Sequence, residues 1–278
     1  MFKKSLSYPH LVWMTIFVIA PMLLILFYAI TANEDGSITI SNFSKFFEPI
    51  YAKILWNSIW VALLSVLLCI LLGYPAAAIL ANKDRRRIAQ GKKPTGLLML
   101  FVLPMWMNMM LRLYSWLTIL QPDGVLNNFL NFFGIPDFNI MYTKGAVVLG
   151  TVYDYIPFMI LPIYSVLIKI DDSVIEAAQD LGANQFTVFR KVTLPLSIPG
   201  VVSGITMVFL PALTSFYIAD FFSGGKFMLI GNLIEKYFRN PIGINFGSAL
   251  SIILMLFAFL SMHIMKKLNK TNRQLSDY

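Results

Sequence analysis

Six stretches of this chain are each long and apolar enough to cross a lipid bilayer, which leaves few folds open to it. They fall at about residues 11–32, 55–81, 96–120, 144–168, 198–222 and 246–265. At ~1.5 Å per residue, about 20 apolar residues reach across ~30 Å of hydrocarbon. Lipid offers no partner to a backbone amide, so such runs must close their hydrogen bonds internally, as helices. Composition agrees. The chain is 58% hydrophobic and 13% charged, about half the charged share of an ordinary soluble domain. The expected fold class is all-α: a polytopic membrane protein with six transmembrane helices in one transmembrane domain over residues 1–278.

The charges set an orientation. Lys and Arg collect on the cytoplasmic side of membrane proteins. The two ends, the 82–95 loop and the 169–196 segment together hold 15 of them. The alternate loops hold 6, namely Lys45, Lys53, Lys144, Lys226, Lys236 and Arg239. Lys3, Lys4, Lys270 and Arg273 belong to the first set. Both termini are therefore expected in the cytoplasm. The loop cluster Lys83, Arg85, Arg86, Arg87, Lys92 and Lys93 is topogenic, not a nucleic-acid site, because it sits in a short loop between spans. The first run exceeds the roughly 7–15 residues of a signal-peptide core, so it reads as a retained span. Cys69 is the only cysteine, and His10 and His263 are far apart near span ends, so no metal site is expected.

Between the spans, Glu34-Asp35-Gly36 and Gln121-Pro122-Asp123-Gly124 are turn signals. Residues 125–133 form an amphipathic stretch suited to the interface, and residues 229–238 another helix. Prolines interrupt most spans, which membrane helices tolerate where neighbours satisfy the freed carbonyls.

One segment departs from this pattern. Residues 171–196 read as a soluble helix pair, placed by topology in the cytoplasm. Ser173-Val174-Ile175-Glu176 has the form of a capping box. Asp171 and Asp172 suit the positive end of the helix dipole. Gly182 is placed to end that helix in the left-handed conformation. Asn184 is placed to cap a second short helix carrying Phe186 and Phe189 three apart on one face, and Pro195 and Pro199 punctuate entry to the fifth span. Such a unit could be an interfacial elbow joining two spans. The small surface at Ala177 and Ala178 favours close approach by a partner's backbone.

Glu176-Ala177-Ala178, then Gly182, then Val192-Thr193-Leu194-Pro195 resembles the EAA loop of binding-protein-dependent ABC importer permeases. The one departure is Val192, where Ile is more usual. Leu111-Arg112-Leu113-Tyr114-Ser115-Trp116, Leu229-Ile230-Gly231-Asn232-Leu233-Ile234 and Asn245-Phe246-Gly247-Ser248-Ala249 resemble the PotB-type permeases of spermidine/putrescine importers. The resemblance implies a type I importer permease (MetI-like) fold in the bacterial inner or plasma membrane. It implies that Glu176, Ala177, Ala178, Gly182, Phe186 and Phe189 meet a cytoplasmic ATPase subunit dimer. It also implies a second, PotC-like permease chain, an extracytoplasmic polyamine-binding protein and surrounding lipid as partners.

The chain has no G-x-x-x-x-G-K-[ST]: Asp220 stands where the first Gly of that motif would be, and Phe227 follows Lys226. ATP and Mg are therefore expected on the partner, with no cofactor on this chain and no enzymatic site. Arg112 and Asp154 are ionisable residues inside spans, which makes them functional candidates. Their depths agree within a few ångströms, so they could pair, or Asp154 could face a cationic solute. Asp220, Tyr153, Tyr155, Trp116, Tyr217 and Phe221 are the other path candidates, since carboxylates and aromatic faces together attract ammonium groups. Other cargoes (an organophosphonate, a metal chelate, an amino acid derivative) and a stand-alone secondary transporter are the alternatives.

Overall fold

The computed structural model describes residues 8–32 and 37–276, with side chains described as far as Lys267. The turn expected at Glu34-Asp35-Gly36, the residues Lys3 and Lys4, and the side chains of Lys270 and Arg273 lie outside the described residues. Those described are overwhelmingly helical, and the one β-bridge joins Thr31 to Ile38.

Besides a short helix at Ser41–Lys45, the helices are α1 (Tyr8–Ala29), α2 (Pro49–Ala89), α3 (Met99–Val102), α4 (Met109–Leu120), α5 (Val125–Phe132) and α6 (Lys144–Leu167). They continue with α7 (Asp172–Asp180), α8 (Gln185–Thr214), α9 (Tyr217–Ser223), α10 (Ile230–Arg239) and α11 (Ile244–Ser276). Among the described residues five stretches, α1, α2, α6, α8 and Pro241–Lys267 (a 3₁₀ turn running into α11), are long and apolar enough to cross a membrane.

The third expected span is not one helix. Residues 96–120 divide into α3, a 3₁₀ turn at Leu103–Trp106 and α4. Pro104 lacks the N–H that would continue α3. Met107 is extended, and the Asn108 side chain accepts the Met110 amide at 2.8 Å, which starts a new helix. The 12 residues of α4 cover only ~18 Å, so α4 alone does not cross. The fifth expected span breaks as well: α8 ends at Thr214, Ser215 is extended, and α9 follows.

The residues fall into two compact units. The first comprises Met1–Asn57 and Leu229–Leu260. Its joints are polar. Asn42 Nδ2 donates to the carbonyls of Ala29 and Thr31 at 3.0 and 2.9 Å. Asn245 Nδ2 donates to the Thr31 carbonyl at 2.6 Å. The Phe246 ring lies 4.9 Å from both Tyr51 and Tyr237, whose hydroxyls are 3.0 Å apart.

The second unit comprises Ser58–Met228 and Ser261–Tyr278. Its core is the packing of α8 on α6. Gly200 and Gly204 stand four apart on α8. A Cβ at Gly204 would lie 2.6 Å from Met159 Sδ, and one at Gly200 would lie 2.9 Å from the Pro162 carbonyl oxygen. Only glycine lets the two backbones come this close, which is how membrane helices gain packing without a hydrophobic drive. Met159 and Ile163 are fully buried at this contact.

Candidate functional site

The segment at residues 171–196 is built as the sequence suggests, with two corrections. The cap of α7 is Asp171, not Ser173: the Ser173 amide donates to Asp171 Oδ1 at 3.0 Å, so no Ser173–Glu176 capping box forms. Asp171 holds the extended backbone that a cap requires, whereas Ser173 is already helical. The Ser173 amide and hydroxyl hold the Asp171 carboxyl below its ordinary pKa. The second correction concerns the helix after the turn. It is not short, because Gln185–Thr214 runs without interruption through Pro195 and Pro199. A π-helical turn at Phe189–Thr193 widens the backbone just before Pro195, and such bulges accommodate interruptions of the helical ladder.

The turn itself closes in a Schellman arrangement. Gly182 has φ +82°. Its amide donates to Gln179 at 2.8 Å, and the Ala183 amide donates to Ala178 at 3.1 Å. Asn184 caps α8 by accepting the Thr187 amide at 2.8 Å. No residue of α7 is buried. Glu176, Ala177 and Gly182 are exposed and Ala178 is half-buried. Phe186 is 69% exposed and Leu181 is 90% exposed. From the sequence Leu181 counts only as a helix former and not as a contact residue, although a leucine at the end of so polar a helix is itself a signal. Phe189 departs from a purely outward role: its ring meets Tyr74 of α2 edge-on at 5.8 Å. The Tyr74 hydroxyl lies 2.8 Å from that of Ser197 on α8.

The loop after α2 folds back onto α2 at Asp84, which in turn bonds α6. Asp84 is 1% exposed. Its Oδ1 accepts the Thr95 amide at 2.6 Å and the Thr95 hydroxyl at 2.7 Å, and its Oδ2 accepts the Tyr164 hydroxyl at 2.8 Å. Burial works against ionisation here. The Thr95 and Tyr164 bonds and the nearby Arg87 outweigh it, so the carboxyl stays below the ordinary aspartate range.

Within the membrane, Arg112 and Asp154 pair at 2.7 Å between Nη2 and Oδ1, and both are largely buried. The second Asp154 oxygen accepts the Tyr217 hydroxyl at 3.2 Å, and that hydroxyl lies 2.8 Å from the Tyr155 hydroxyl. The cluster ties α4, α6 and α9 together. It therefore joins pieces of both interrupted spans to the intact α6. Asp154 has both oxygens engaged and its charge matched. Trp116 meets Tyr153 at 5.1 Å, and the ring of Phe221 meets Tyr114 edge-on at 5.0 Å. Asp220 is exposed on α9.

Comparison with known proteins bears on this arrangement. The family described as "Binding-protein-dependent transport system inner membrane component" matches residues 70–274. The chain is 40% identical over 266 residues to a Haemophilus influenzae protein named spermidine/putrescine transport system permease protein PotB, covering 93% of this chain and 91% of that one. It is 37% identical to the Escherichia coli K12 protein of the same name, covering 87% and 88%. In fold it is similar to a chain of a bacterial alginate ABC transporter solved with an alginate-loaded periplasmic protein (TM-score 0.74, 16% identity, covering 97% and 95%). It is also similar to one in the MetNI methionine ABC transporter (TM-score 0.56, 17% identity, covering 80% and 96%). The chain belongs to the family of binding-protein-dependent transport system inner membrane components and is a multi-pass permease subunit of such an importer.

Proposed function

We propose that this permease imports polyamines, spermidine and putrescine, and that α7 and the turn at Gly182 couple it to a cytoplasmic ATPase dimer. The observation that carries the cargo is the 40% identity, spread over nearly the whole chain, to a relative named for that transport. A second, PotC-like permease chain completes the path, and an extracytoplasmic binding protein delivers the solute. ATP and Mg stay on the ATPase. Both termini lie in the cytoplasm, the side on which the basic loops gather.

The chemistry of the path fits a flexible polycation. Pairing Arg112 with Asp154 removes a fixed positive charge that would repel ammonium groups. The aromatic pairs Trp116–Tyr153 and Tyr114–Phe221 present ring faces and edges, and ring faces attract cations. Asp220 supplies an exposed carboxylate beside Phe221 and Tyr217. Of the path candidates, Asp154 and Tyr155 act through this network and not by meeting the solute.

The coupling role rests on what α7 exposes. Glu176, Ala177, Leu181, Gly182 and Phe186 form a surface of one acid, small residues and two bare apolar side chains. The test is a reconstituted complex of both permeases, the ATPase and the binding protein. Spermidine- or putrescine-loaded binding protein is expected to raise ATP hydrolysis above the level with unloaded binding protein. An equal rate in both cases overturns the polyamine assignment.

A further inference from the structure

Asp172, the first helical residue of α7, is held by a residue of another element. Arg85, near the cytoplasmic end of α2, brings Nε to 2.6 Å from Asp172 Oδ1. The approach lies off the N–H axis, so this is an ion pair and not a directed hydrogen bond. The same guanidinium donates from Nη2 to Asn82 Oδ1 at 2.9 Å, and from Nη1 it reaches the Ile170 carbonyl at 3.5 Å, just ahead of the Asp171 cap. The Arg85 side chain is largely buried. Its neighbour Asp84 bonds Thr95 and the Tyr164 hydroxyl near the end of α6.

These contacts form a pattern. α2 grips the coupling segment at its entry through Arg85. It meets the segment again beyond the glycine turn, where Tyr74 touches Phe189 and Ser197. It grips α6 through Asp84. The segment continues covalently into α8, so α8 would receive its motion without any help. α2 has no such continuity and depends on side-chain contacts.

We infer that Arg85 is a positioning residue for transport: its ion pair with Asp172 carries displacement of the coupling helix into α2, so that α2 moves with α8. The inference rests on the coupling role proposed above. It assigns to a basic residue of α2, otherwise read as topogenic charge, a specific partner 87 positions away. Arg85 is suited to this because a guanidinium can engage a carboxylate, an amide oxygen and a backbone carbonyl at once. The other cations of that cluster, Lys83, Arg86, Arg87, Lys92 and Lys93, form no ion pair among the described residues.

The test uses the full reconstituted importer and reads solute uptake per ATP hydrolysed. Arg85→Gln and Asp172→Asn are each expected to lower that ratio by roughly fivefold, the lower end of typical coupling between sites. The ATPase should remain bound and hydrolysing. Arg85→Lys, which keeps the charge and loses the fork, should fall between parent and Arg85→Gln. The exchange Arg85→Asp with Asp172→Arg should recover part of the ratio. Parent-like ratios in both single variants overturn the inference, as does an exchange no better than the worse single variant together with Arg85→Lys matching Arg85→Gln. Detachment of the ATPase by Gly182 variants is measured separately. If those variants leave it attached and transport intact, the coupling reading fails first, and the two failures are told apart.

Discussion

Arg112 and Asp154 show what a single residue in the membrane can and cannot be used for. An unpaired charge there is costly, and each removes the other's cost only while both are present. Asp154→Asn leaves a buried guanidinium without a counter-charge. Breaking such a pair from one side costs about 3–5 kcal/mol. Asp154→Asn and Arg112→Gln are therefore each expected to lower the melting temperature of the detergent-solubilised complex sharply. The double variant should recover most of the loss, because no lone charge remains. If the double variant melts no higher than the worse single one, the pair is not what makes either residue necessary. The sequence suggested this pair through matched depths alone. It could not reveal that Tyr217 takes the second carboxylate oxygen, because that contact depends on the break at Ser215 which turns α9 back toward α6.

At the scale of elements, the segment from Asp171 to Asn184 was readable because its signals are local: a cap, nine helical residues, a glycine and a second cap. Where local rules tie, the sequence misleads. Asp171 and Ser173 both suit a cap, and only the backbone conformation decides between them. Likewise Trp106 to Met110 reads as unbroken apolar chain around one Asn, yet that Asn starts a helix and divides the third span. The Gly182 turn gives the element its test. A Cβ at Gly182 would meet nothing within 4 Å, so substitution there strains the backbone without creating a clash. Valine rarely adopts positive φ, whereas asparagine does so more readily. Gly182→Val is expected to abolish uptake and release the ATPase while the permease still inserts in the membrane. Gly182→Asn should keep a measurable share of both. Equal retention of the ATPase by the two variants, at the parent level, would show that the turn's shape is not needed for docking.

On the scale of the whole molecule, the helical membrane class follows from composition and run length, and the family from long motifs. Long-range partners were not legible: nothing in the spacing links Arg85 to Asp172 or Asp84 to Tyr164. Orientation stands between these cases, since it is written in the charge distribution but lies outside a single chain's internal geometry. It rests on the excess of Lys and Arg at the two ends, in residues 82–95 and in the 169–196 segment, and that excess predicts which loops each side of the membrane can reach. Cys69 is buried, so a Cys69→Ser background removes the only native thiol. Gln90→Cys in the α2–α3 loop and Asn131→Cys on α5 then both sit at exposed positions, on opposite expected sides. In intact spheroplasts, a membrane-impermeant maleimide should label Asn131→Cys and spare Gln90→Cys until the membrane is permeabilised. The reverse pattern would place α7 outside the cell, where no ATPase could meet it, and would remove the coupling mechanism along with the orientation.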